Sequence, residues 1–193
     1  LAALLLVLLG VWQARRGADR PGAGRWLVAT GVVYGLSLGT HALTLLLAPG
    51  IAAFVLLVAP RILGREKRTV LLSLGAMAFT AMAVYLYLPL RSAMDPPLDY
   101  ADPQTWESFW YLVLGEQFQG SFRGLPPLAD LVSGVWDELV RDFGVLAVLV
   151  LAGFVMGLLR HPRLLALTGL WFACSWLFAL AYPNAQIERY YLV

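Results

Sequence analysis

The chain has 193 residues, 60% of them hydrophobic and only 13% charged, whereas a soluble domain carries about 25% charged and about 45–50% apolar residues. This composition excludes a disordered chain, a nucleic-acid-binding module and most soluble enzymes, and it points to a polytopic membrane protein. The net charge of +2 says little as a sum, the single cysteine excludes an internal disulfide framework and a cysteine-built zinc site, and the two histidines lie too far apart in sequence to suggest a His-rich metal site.

A membrane-crossing helix needs about 20 apolar residues. The chain opens inside an apolar run, with no basic region before it and no small-residue cleavage site after it, so the run is not a signal peptide. Residues 1–13 read as the tail of a span cut short, and the chain is expected to be a piece of a longer protein. Residues 26–63 carry no charge before Arg61, enough for two short spans. The turn between them falls between Gly39 and Gly50, at either Gly39-Thr40-His41 or Ala48-Pro49-Gly50. Residues 69–90, 143–159 and 164–182 complete the set. The expected fold class is therefore all-α: a polytopic transmembrane bundle of about six spans.

The charges orient it. Segments 14–25, 61–68 and 160–163 hold ten of the fourteen basic residues and two of the twelve acids. Such a bias in short loops places them in the cytoplasm and residues 91–142 outside. Counting spans gives the same parity: one inward, a pair out and back, then one outward, one inward and one outward. Trp12 and Trp26 flank the first basic loop, where an aromatic belt is expected. Gly31, Gly35 and Gly39 form a small-x-x-x-small stripe suited to close helix packing.

The outside loop begins with Asp95, Pro96, Pro97, Asp99 and Asp102, a rigid extended segment. Asp102-Pro103 reads as an N-cap followed by proline at the first helical position. Trp106, Phe109, Trp110, Val113 and Leu114 recur on one helical face. Gly120, Gly124 and Pro126-Pro127 break that helix, and a second begins near Leu128. Its apolar face holds Leu128, Leu131, Val132, Val135, Trp136, Leu139 and Phe143, opposite Asp130, Asp137, Glu138, Arg141 and Asp142. This is an amphipathic helix expected to lie on the outer leaflet or to cap the bundle.

Tyr85-Leu-Tyr87-Leu-Pro89-Leu-Arg91-Ser92, followed by Asp95-Pro96-Pro97 and Asp102-Pro103-x-x-Trp106, is distinctive, as is Gly35-Leu-Ser37-Leu-Gly39-Thr-His41. Together they resemble the bacterial relatives of transmembrane protein 260, the protein O-mannosyltransferase-like family of polytopic GT-C glycosyltransferases. The resemblance runs from about Trp26 to Val193. It implies that residues 1–193 form part of a single GT-C-like transmembrane domain in a bacterial inner membrane. It also implies sugar transfer from a polyprenyl-phosphate-linked donor on the non-cytoplasmic side. The usual catalytic acid of such enzymes lies in the first outside loop, expected upstream of Leu1, so no catalytic residue is carried over. The expected partners are that donor and membrane lipids, with no nucleic acid. No tight ligand spacing among the carboxylates supports a divalent metal.

Transfer from a lipid phosphosugar needs a base for the acceptor and a cation for the departing phosphate. Arg91, at the outer end of a span, is a candidate phosphate ligand; the plainer reading is an interfacial arginine reaching to headgroups. Arg189, with Glu188 as partner, sits similarly. His41 either faces the bundle interior or ends a helix at the outer interface, bonded to Thr40 or Thr44. Asp95 and Asp99 are candidate substrate contacts, Asp99 for a sugar hydroxyl or the acceptor, while Asp102 reads as a helix cap. His161 reads as a solvated loop residue. A polytopic transporter or lipid flippase and a non-catalytic scaffold subunit are the alternatives. A transporter would show ionisable residues paired within its spans and broken helices in matching halves, and these spans carry almost no charge.

Overall fold

The structure is a computed structural model that describes residues 1–97, 99, 101–122, 124–125 and 127–182. Every regular element among them is helical, in agreement with the all-α reading. The chain divides into two compact units: Leu1–Leu45 with Val58–Gln119, and Leu46–Leu57 with the described residues from Gly120 onward.

In the first unit, α1 (Ala2–Gly17) buries Leu5, Leu8, Leu9 and Trp12, a stripe at helical spacing. A six-residue connection with Asp19 and Gly22 at positive φ leads to α2 (Gly24–Thr40), which packs on α1. The next helix, α3 (Ala48–Val58), is described with the second unit. Then come α4 (Ile62–Arg65), α5 (Lys67–Tyr85), α6 (Tyr87–Ser92), α7 (Trp106–Val113) and α8 (Glu116–Gln119).

The seam between α2 and α5 dominates this unit. A Cβ added at Gly24 would meet Thr69, at Gly31 Ser73, at Gly35 Met77 and Thr80, and at Gly39 Val84. Both series ascend, so the helices run parallel, as the counted topology requires of two outward spans. At Gly31 and Gly35 the nearest atoms include the carbonyl oxygens of Ser73 and Met77. The backbones therefore touch directly, and no α5 residue needs to be buried for the contact. The glycine stripe is a packing device, as its spacing predicts. Side chains of α5 bridge to carbonyls of α2: Ser73 to Leu27 at 2.8 Å, Thr80 to Val32 at 3.1 Å and Tyr85 to Leu38 at 2.9 Å. Thr80 also reaches its own helix at Ala76, so its single proton is shared.

At the other end of the seam, Arg16 of α1 pairs with Glu66, just before α5, at 2.5 Å. Segments 14–25 and 61–68 thus lie together at the end where α2 and α5 begin, and α6 follows at the end where they finish.

The turn between Gly39 and Gly50 resolves in favour of Thr40-His41. His41 is extended at φ −156° and ψ 111° and ends α2. A 3-10 turn, Ala42–Leu47, then feeds straight into α3. Ala48-Pro49-Gly50 therefore starts a helix instead of breaking one, because a proline in the first turn gives up an N–H that has no intrahelical partner there. Tyr34 secures the turn by donating to the Thr44 carbonyl at 3.0 Å.

In the second unit, Gly50 of α3 lies directly against the carbonyl of Leu167, which is buried. Leu167 belongs to α11 (Pro162–Ala181), which follows α9 (Leu128–Phe143) and α10 (Ala147–Arg160). The expected start of α9 near Leu128 is met. Its Gly134 faces the Trp176 ring of α11, 3.8 Å from where a Cβ would stand. The buried strip is narrower than the apolar face: Leu131, Val135 and Leu139 are half-buried, while Val132, Trp136 and Phe143 are exposed. Gly144, at φ +54°, ends α9, and the 3-10 turn Gly144–Leu146 joins it to α10. His161 and Pro162 close the tight α10–α11 hairpin, with proline at the start of the helix. Phe122, Phe178 and Tyr182 cluster with ring centroids 5.3–5.5 Å apart, Phe178 stacked on Tyr182 and Phe122 edge-on to Phe178.

Three helical stretches among the described residues are long and apolar enough to cross a membrane: Lys67–Ser92, Leu131–Arg160 and Pro162–Ala181. They contain the expected spans 69–90 and 143–159 and cover the expected span 164–182 up to Ala181. The earlier ones are shorter: α1 has 16 residues, α2 has 17, and the apolar stretch Ala42–Val58 follows them. At 1.5 Å per residue, 17 residues reach about 25 Å.

Candidate functional site

His41 lies past the end of α2, and Arg91 with the aspartates lies past the end of α5, on and after α6. Tyr85 pins the two helix ends together through the Leu38 carbonyl. His41 follows directly on α2. Its imidazole is exposed, and its Nδ1 accepts from the Leu43 N–H at 3.3 Å. Its carbonyl accepts from the Thr44 hydroxyl at 2.8 Å. His41 thus ends α2, and Thr44 is the residue bonded to its carbonyl.

Arg91 lies in the last turn of α6 and is exposed. No carboxylate among the described residues lies within ion-pair distance of it. The carboxylates of Asp99 and Asp102 turn to Ser92 instead, and Asp95 meets it through its backbone N–H. Ser92 is 2% exposed. Its hydroxyl contacts Asp99 Oδ2 at 2.5 Å and Asp102 Oδ1 at 3.0 Å, and its carbonyl accepts from the Asp95 N–H at 3.1 Å. A serine has one proton to give, so two carboxylates compete for a single donor. The result is a concentrated negative charge next in sequence to an arginine that has no carboxylate partner among the described residues.

Asp102 is not a helix cap. It sits at φ +38°, beside Ala101 at φ +62°, and Asp95 is also left-handed at φ +47°. The cap of α7 is Thr105, whose hydroxyl accepts from the Ser108 N–H while Ser108 Oγ accepts from the Thr105 N–H, a reciprocal capping box. Ser108 also reaches the Asp102 carbonyl at 2.6 Å. Asp102 is therefore a joint, with its carboxylate on α6 and its carbonyl on α7. Proline at 103 is not the first helical residue, because Gln104 is still in a turn and Thr105 is extended at φ −93° and ψ 157°. Gly115, at φ +60°, stops α7 five residues before the expected break at Gly120. Of the expected apolar face only Phe109 is buried, while Trp106 is 77% exposed.

Sequence reasoning gave Ser92 no role. Its one signal was its place directly after Arg91 in the quoted motif. Thr105-x-x-Ser108 carried a clearer signal, the spacing of a capping box. Arg189 and Glu188 lie outside the described residues. Among the described residues, no three of His, Cys, Asp and Glu are grouped so as to hold a metal ion.

Ser92→Ala should loosen this joint. Hydrogen bonds to charged groups contribute about 1.5–3 kcal/mol each. Both carboxylates are exposed, so about 1 kcal/mol is expected. The readout is faster protease cleavage between residues 93 and 105 with the helical signal unchanged. Equal cleavage rates would mean that Ser92 does not hold the loop.

Long apolar helices with exposed apolar faces define the chain as a helical membrane protein. Residues 1–62 match the family model described as the protein O-mannosyl-transferase TMEM260 N-terminal domain, the family that the motifs resemble. The match takes in α1, α2, α3 and His41; Arg91, Ser92 and the aspartates lie beyond it. No curated protein and no solved structure matches the chain.

Proposed function

We propose that the chain is part of an integral-membrane glycosyltransferase of the GT-C kind. It moves a sugar from a polyprenyl-phosphate donor to an acceptor hydroxyl at the non-cytoplasmic face of a bacterial inner membrane. The observation that carries this reading is the family match over residues 1–62. The end of α6 supports it, with an arginine that has no carboxylate partner among the described residues, next in sequence to a carboxylate cluster, at the finish of a long apolar stretch.

In this reaction the acceptor oxygen bonds to the anomeric carbon while the bond from that carbon to the phosphate oxygen breaks. The electron pair leaves with the polyprenyl phosphate, and the acceptor's proton passes to a base. Arg91 holds the phosphate, whose charge grows as the bond breaks, so its hydrogen bonds strengthen in the transition state. Asp99 and Asp95 orient sugar or acceptor hydroxyls by accepting from them. The base is assigned to none of these residues. The basic segments 14–25, 61–68 and 160–163 face the cytoplasm by their charge bias.

The test uses the purified full-length protein that contains these residues, in proteoliposomes with a short-chain polyprenyl-phosphate mannose and a Ser/Thr-rich peptide or a glycolipid acceptor. Release of polyprenyl phosphate with sugar appearing on an acceptor supports the reading. Donor crossing the bilayer intact, with no transfer, would replace it by a flippase. In intact cells an impermeant thiol reagent should label a cysteine placed at 99 and spare one at 19.

A further inference from the structure

The opposite end of the first unit carries a second concentration of charge, which sugar transfer does not use. Four arginines lie between residues 15 and 25, and Lys67 and Arg68 open α5 beside them. Their roles differ. Arg16 is committed: it pairs with Glu66 and lies over Trp12 at 5.9 Å from the ring centroid. Arg15 and Arg25 converge on one indole, with guanidinium carbons 5.5 and 5.8 Å from the centre of Trp26. Neither has a carboxylate within ion-pair distance among the described residues. Arg25 is held in place as well, because its side chain folds back over Gly22, which stands at φ +74° with no side chain in the way.

Two cations gathered on one ring repel each other unless an anion lies between or over them. The ring lies in the first turn of α2, next to the basic connection, where an indole at the end of a span would meet lipid headgroups. A planar guanidinium presents a fork of donors that matches phosphate oxygens. Arg20, Lys67 and Arg68 are exposed around the pair and add to the positive potential there. We propose that Arg15, Arg25 and Trp26 form a seat for the phosphate of an anionic phospholipid headgroup, with the acyl chains running down the apolar surface of the bundle. The occupant is a lipid because the seat lies at the end where the membrane-length stretch Lys67–Ser92 begins, beside the apolar helices α1 and α2, and a lipid brings its own apolar body to them.

The test is native mass spectrometry of the full chain in neutral detergent, titrated with phosphatidylglycerol or phosphatidylcholine, with thermal melts to check folding. The wild type should retain phosphatidylglycerol in preference. The R15Q/R25Q pair should lose that retention about tenfold or more, since each substitution removes charge-assisted hydrogen bonds from a guanidinium to the phosphate. R15K/R25K, which keeps charge and loses the forks, should fall between, and it carries the test if the glutamine pair fails to fold. R160Q/R163Q makes the same charge change in the α10–α11 turn, which has no such ring contact among the described residues, and should behave as wild type. Equal retention by wild type and R15Q/R25Q, or equal loss in R160Q/R163Q, overturns the seat. Displacement of the lipid by excess inorganic phosphate would show a free-phosphate site instead and overturn the lipid assignment.

Discussion

Arg91→Ala is expected to lower sugar transfer about a hundredfold or more, with Arg91→Lys keeping a substantial part of the activity. A guanidinium gripping phosphate through two charge-assisted hydrogen bonds contributes about 3–4 kcal/mol, and each 1.4 kcal/mol is about a tenfold change in rate. Lysine keeps the charge and gives up the fork. The loss should appear mainly in kcat, because the phosphate gains charge as the sugar departs. Arg91 is exposed and has no carboxylate partner among the described residues, so the substitution removes no ion pair seen in the fold. An arginine that only anchored the helix end would be served as well by lysine. Full transfer by a folded Arg91→Ala protein would leave the anchor role standing.

Gly35→Ala should be the most damaging single methyl in the chain. The added carbon would run into Thr80 Oγ1 and the Met77 carbonyl at once, and a helix backbone cannot step aside as a side-chain tip can. Overpacking of this kind costs about 1–3 kcal/mol. Parting the helices also strains the bonds from Ser73, Thr80 and Tyr85, each contributing about 0.6 kcal/mol in a membrane protein. A loss of about 3–4 kcal/mol is expected in denaturant titration in mixed micelles. Gly75→Ala is the matched control, because it lies on α5 with open space around its Cβ. It should be neutral or slightly stabilising, since alanine is the better helix former. If the two variants melt alike, α2 and α5 are not in backbone contact.

What could be read from the residues alone tracks what each feature depends on. The later spans, the α2 glycine stripe and the start of α9 rest on local periodicity, and they stand where expected. The reading of Asp102 failed because capping is a contest between neighbours. Asp102 and Thr105 both have capping side chains, and the tie was broken by Ser92, ten residues away, which draws in the Asp102 carboxylate. The apolar face of α9 was legible, but its docked strip was not. Gly134 lets the Trp176 ring approach, and nothing in the helical spacing names a partner 42 positions on. Ser92 itself is an ordinary helix-end serine until the loop folds back on it. The resemblance was read from Trp26 onward, and the family match begins at residue 1 and stops at 62. Arg91 and its aspartates therefore rest on their own geometry.

The α2–α5 seam also sets an order on the making of the protein. Its hydrogen bonds join residues 46 to 48 positions apart, so α2 leaves the ribosome well before its partner exists. During that interval it has α1 beside it and a bare glycine face that no other described helix is built to fill. The ribosome must extend the chain past Thr80 before the two backbones can lock. A stall or cleavage before that point would release a hairpin with its most adhesive surface uncovered, the kind of species that membrane quality control removes.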